Sequence, residues 1–95
     1  MMSSVPAKFK PIFWDTSLDS LDTERHKRYI IERILEFGDE EAYKWMFANY
    51  SDEDIIDTVK KSRRISRKTA VMMANFYKIP KEEIRCLNEP SILKP

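Results

Sequence analysis

Apolar positions recur at helical spacing through most of this chain. After Asp22, the residues Ile30, Ile34 and Phe37 share one face and Ile31 and Leu35 widen it, which predicts a first long helix capped by Asp22 or Thr23 and ending at Phe37. Gly38 then predicts a left-handed stop. Asp39 is the expected cap of a second helix through Tyr50, with Ala42, Trp45, Met46 and Asn49 on one stripe and Tyr43, Phe47 and Tyr50 on another. So wide an apolar arc predicts a central position. Ser51, Asp52, Glu53 and Asp54 have the form of a capping box with Asp in place of Glu, opening a third helix that carries Ile55, Ile56 and Val59. Ser66 is the expected cap of a fourth helix, Arg67 to Tyr77, which offers Ala70, Val71, Met73, Ala74 and Tyr77 to the core. Pro80 suits the first turn of a short fifth helix with Ile84 and Leu87.

Ahead of these helices, KPIFWD from Lys10 to Asp15 is expected to lie extended across the core, with Trp14 packed against the helices. The predicted organisation is a flexible leader over residues 1–9, a single helical domain over 10–87 and a tail over 88–95. The fold class is all-α, a compact bundle of four main helices plus a short fifth, with a helix-turn-helix-like C-terminal half.

Composition supports that reading. The chain has 95 residues, enough for one core and too few for two. Its single glycine disfavours a sheet protein, which spends several on hairpin turns. One cysteine, Cys86, cannot form an internal disulfide and is compatible with a reducing compartment. No export signal or apolar run of membrane-spanning length is evident, so the expected location is the cytoplasm and no membrane is expected as a partner.

Charge is where the pattern becomes specific. Lys60, Lys61, Arg63, Arg64, Arg67 and Lys68 place six cations in nine residues, although the whole protein is only +1. Between two short helices such a cluster can hold the phosphates of a duplex while the second helix faces the groove. Arg67, Lys68 and Thr69 would then stand where base edges are reached. The match to a standard helix-turn-helix is imperfect, because Lys60 occupies the small-residue slot of the first helix and Arg64 the glycine slot of the turn. A solvated basic turn, or one that meets an acidic protein surface, has the same sequence.

Catalytic chemistry is sparsely supplied. His26 is the sole histidine, placed to be a half-buried residue of the first helical turn, and it has no spacing with Cys86 that suggests a nucleophile and base. The clusters Asp39, Glu40, Glu41 and Asp52, Glu53, Asp54 sit at helix starts, where carboxylates favour the dipole, and are read as caps. No enzyme activity, cofactor or metal site is expected. The aromatic side chains are numerous for a small domain, and an uncovered face would call for the N-terminal arm, a second copy of the chain or another partner.

The motifs KPIFWD, HKRYIIERILEFGD, KKSRRISRKTA and YKIPKEEIRCL, in that order from about Lys10 to Leu87, resemble a family of small prokaryotic proteins of unassigned function. Its members carry FWD, SRRLSxKTA and IPKEEIRCL-like motifs and look like companions of nucleotidyltransferase-type toxins. That resemblance implies an antitoxin or transcriptional regulator with a toxin or other protein as partner. The segment TAVMMANFYKIPKEEI also looks like the closing helices of phage-repressor-type domains, with Lys78 where those often have glycine. The expected function is a non-enzymatic DNA-binding regulator or antitoxin-like component, with duplex DNA and a homodimer among its partners. The alternative is a protein-protein interaction module without nucleic acid.

Overall fold

The computed structural model describes residues 5–14 and 16–88. Five α-helices form it: α1 Lys27–Phe37, α2 Glu40–Asn49, α3 Asp52–Lys61, α4 Arg67–Tyr77 and α5 Arg85–Asn88. Short 3-10 segments at Ala7–Phe13, Leu18–Ser20 and Lys81–Glu83 join or precede them, and no strand occurs among the described residues. The all-helical expectation holds. The radius of gyration is 13.6 Å, matching the roughly 13 Å of a single domain of about 100 residues.

The helix at the centre is α1. It packs against α2, α3 and the Ala7–Phe13 segment, while α3 meets α4 and α5 on its other side. Ile30, Ile31 and Ile34 are fully buried, and Leu35 nearly so. The expected central role of α2 is not observed. Only Ala42 and Met46 of that helix are buried, and its remaining aromatic arc lies at or near the surface. Trp45 and Tyr43 are half-buried and Phe47 is exposed, so α2 covers one flank of α1 instead of dividing the core.

Three caps form as expected. The Asp39 carboxylate accepts from the Ala42 N–H at 3.0 Å, Ser51 Oγ from Asp54 N–H at 3.1 Å and Ser66 Oγ from Thr69 N–H at 3.2 Å. The entry to α1 differs. Asp22 caps a turn that precedes the helix, accepting from the N–H groups of Glu24 and Arg25 at 2.8 and 3.0 Å. In return the Asp22 N–H donates to His26 Nδ1 at 3.0 Å, so a histidine takes the reciprocal role that Glu or Gln plays in a capping box.

Gly38 is not left-handed. Its φ and ψ are −78° and 158°, an extended conformation open to any residue. What requires glycine is space: a Cβ there would lie 2.6 Å from the Ile34 carbonyl oxygen and 3.1 Å from Ala42 Cβ. The left-handed residue is Lys78, at φ 58° and ψ 45° after α4. Its N–H and that of Ile79 both bond to the Ala74 carbonyl, the latter at 2.9 Å, and Ile79 and Ala74 are both buried.

The N-terminal arm is helical, not extended. Phe9, Ile12 and Phe13 of the 3-10 segment are buried, as is Val5 before it, so the packed chain begins ahead of residue 10. The part of the expected leader at residues 1–4 and the part of the expected tail at 89–95 lie outside the described residues. Trp14 is not a core residue, being 62% exposed. It stacks on the Arg33 guanidinium at 4.1 Å with the Phe37 ring edge-on at 4.9 Å. Arg33 also donates from Nε and a terminal nitrogen to the Ile12 carbonyl at 3.1 and 2.8 Å, which ties the arm to α1.

Candidate functional site

The basic turn is shaped by two inward residues. Ser62, almost wholly buried, ends α3 and accepts the N–H groups of Arg64 and Ile65 on its Oγ at 3.0 and 3.3 Å, while the Ile65 side chain enters the core. Arg63 and Arg64 between them are therefore turned outward, and both are exposed. Ser66 fixes the far end: its N–H donates to Glu36 Oε1 of α1 at 2.9 Å and its hydroxyl donates to Thr69 Oγ1 at 3.1 Å.

The six cations of the cluster do not share one environment. Lys60 pairs with Glu83 at 2.8 Å, away from the turn. Lys61 pairs with Asp57 at 3.0 Å, and Arg64 Nε stands 3.9 Å from Glu32. Arg67 and Lys68 are exposed at the start of α4, whose first turn has no acidic residue. Thr69 is 8% exposed with its hydroxyl engaged by Ser66, which leaves Arg67 and Lys68 as the outward groups of that turn.

Lys61, Arg63 and Arg64 come together with residues from distant parts of the chain. They line an open cleft of about 610 Å3 with Arg25, Arg28 and Arg85, where Tyr29, His26 and Ser62 contribute further polar groups and Glu32 the one carboxylate. Arg28 reaches Asp57 at 3.5 Å, so that carboxylate serves two cations and is held below the usual range, chiefly by its hydrogen bond to Lys61. Beside the cleft, Lys27 pairs with Asp54 at 3.1 Å, which raises the ammonium's pKa.

Sequence reasoning missed Arg25, Arg28 and Arg85. One signal was present: Arg25, Lys27 and Arg28 precede or open α1, whose first turn has no acid, and cations at a helix start oppose the dipole. Residues placed against local preference invite a search for what else they do.

A second surface lies on α2 and α4. Phe47 and Phe76 stack at 5.6 Å, with Tyr43 edge-on to the first and Tyr77 to the second. Phe76 is 62% exposed and neighbouring Met72 47%. Among the described residues no group of three His, Cys, Asp or Glu could hold a metal ion, and no helix is long and apolar enough to cross a membrane.

No curated protein and no solved structure matches the chain. One family profile does, over residues 9–59, from the 3-10 arm through α1 and α2 to near the end of α3. The basic turn, α4 and α5 lie beyond the matched segment. On that match, covering more than half of its length, the chain belongs to the family of unknown function DUF6922.

Proposed function

We propose that the chain is a non-enzymatic DNA-binding protein, a regulator or antitoxin-like component, in which α3 and α4 act as a helix-turn-helix-like pair. The observation that carries this reading is the outward, concave gathering of Lys61, Arg63 and Arg64 with three further arginines in a protein of net charge +1. Phosphate neutralisation needs cations concentrated on one face, and a nearly neutral chain has few to spare. Arg67 and Lys68, at the exposed start of α4, are placed to extend that contact toward base edges. Lys60, held by Glu83, contributes less than the linear cluster implies. Thr69 serves as part of the Ser66 cap.

Titration of duplex DNA from the protein's own promoter at two salt concentrations is the test. Affinity should fall steeply with salt, and R63A/R64A should flatten that dependence by about one to two units of slope. Absence of binding at low salt discards the reading. The stacked, exposed Phe47–Phe76 pair favours a second one, a protein-interaction module seated on α2 and α4, with a second copy or a toxin as partner. Under that reading Phe76→Ser abolishes association seen by sedimentation, while R63A/R64A leaves it intact.

A further inference from the structure

The cleft between α1, the α3–α4 turn and α5 is assembled in part from residues outside the α3–α4 pair. Arg25 comes from the turn before α1, Arg28 from α1 and Arg85 from α5, more than 50 residues later in the chain. Five of the six cations lining it are arginines, whose planar forks match phosphate oxygens two at a time. The lining opposes them with Glu32 alone, a buried carboxylate already facing Arg64. A concave wall of one sign concentrates potential and draws counter-ions of high charge density. His26 also lines the cleft, with its Nδ1 engaged by the Asp22 N–H at 3.0 Å.

We propose that this cleft binds a compact anion carrying two or more neighbouring phosphate groups, such as inorganic polyphosphate or the phosphate chain of a nucleotide. A single phosphate, of charge about −1.5 to −2, leaves most of the lining's positive charge unanswered. Arg28, Lys61, Arg63, Arg64 and Arg85 hold interactions of their own, so the ligand shares or replaces those partners and does not meet bare charge. The site stands apart from DNA binding in its test, although Lys61, Arg63 and Arg64 serve both and a bound polyphosphate would compete with a duplex.

Calorimetric titration of the full chain with inorganic tripolyphosphate at low salt should give saturable binding. The double variant R25A/R85A should weaken it about tenfold or more, the scale of losing charge-assisted hydrogen bonds. R67A/K68A, which removes the same charge from outside the cleft, should leave it unchanged. Arg25→Gln, on an exposed side chain, provides the second variant if the double lowers helicity, with the same direction of effect. A nucleoside triphosphate binding as tightly as tripolyphosphate assigns the phosphate chain, and tighter binding assigns a nucleotide. No saturable binding, or equal weakening by both double variants, overturns the proposal.

Discussion

The left-handed position at the end of α4 belongs to a lysine. A residue with a Cβ is disfavoured at φ 58° by about 1 kcal/mol relative to glycine, so Lys78→Gly should raise stability by roughly 0.5–1 kcal/mol in urea denaturation. Gly38 predicts the opposite sign for the more ordinary substitution. At φ −78° alanine would normally stabilise by restricting the unfolded chain. Here the added methyl meets the Ile34 carbonyl oxygen at 2.6 Å, and Gly38→Ala should cost about 1–3 kcal/mol, the range of overpacking. A stabilised Gly38→Ala would show that the junction of α1 and α2 yields to the added methyl without penalty. The importance of this glycine was legible but its reason was not, because the fit against the Ile34 carbonyl of the preceding turn and Ala42 of the next helix exists only in the folded chain.

Tyrosine ionisation sets a second prediction at this scale. Burial, aided by nearby acids, raises the Tyr50 phenol well above its ordinary value, and burial together with Asp52 raises Tyr77 from 10.0 to about 12. Each raised pKa means the unfolded chain releases its proton first. The stabilisation is complete below about pH 10 and is lost as pH climbs through the folded values. Tyr50 also donates to the Thr23 carbonyl at 2.8 Å in a buried site. Tyr50→Phe should therefore lose about 1 kcal/mol near neutrality, the net worth of a hydrogen bond, and show a shallower alkaline decline in denaturation midpoints.

Among the elements, the arm before α1 is tied down by one side chain of that helix, Arg33. Arg33 holds the Ile12 carbonyl with two nitrogens and lies beneath Trp14, so Arg33→Lys, which keeps charge but not the fork, should destabilise by about 1 kcal/mol or more. Removal of residues 1–8 takes buried Val5 away and should cost about 1.5 kcal/mol, the low end for a large apolar side chain. Thermal melts that match the intact chain would show that Val5 packs without consequence. The caps at Asp39, Ser51 and Ser66 were legible because capping is local chemistry, whereas the start of α1 at Lys27 and of α5 at Arg85 fell later than expected, Asp22 capping a separate turn and Pro80 opening a 3-10 turn. The arm was misread as extended because Pro11 is compatible with a 3-10 turn as well as with an arm, and periodicity is uninformative over so few residues.

For the whole molecule, what could be read was the all-helical class and half of the basic face. An apolar arc on α2 and another on α1 look alike in sequence, and only assembly shows that α1 takes the centre while α2 leaves Phe47 beside Phe76 in solvent. Lys61, Arg63 and Arg64 were visible as a run. Arg25, Arg28 and Arg85 were not, since nothing in linear order joins the start of α1 to α5. Exposed cations contribute little to stability, so the alanine variants proposed for the turn and the cleft should melt close to the parent chain. Circular dichroism checks that expectation.

The turn is held to α1 at two points one helical turn apart, through Glu32 toward Arg64 and Glu36 to the Ser66 N–H. These contacts tie the basic turn to α1, which itself lines the cleft through Arg28. A ligand meeting this side of the protein would find the turn already tethered, and association would spend less interaction energy on ordering a loop. Glu36→Gln, which keeps the hydrogen-bond geometry but weakens the charge, should leave the helices intact and speed exchange of the amide protons at Ser66 and its neighbours. The domain would recognise its ligand as a preset mould, with selectivity decided by the ligand's own shape and charge spacing.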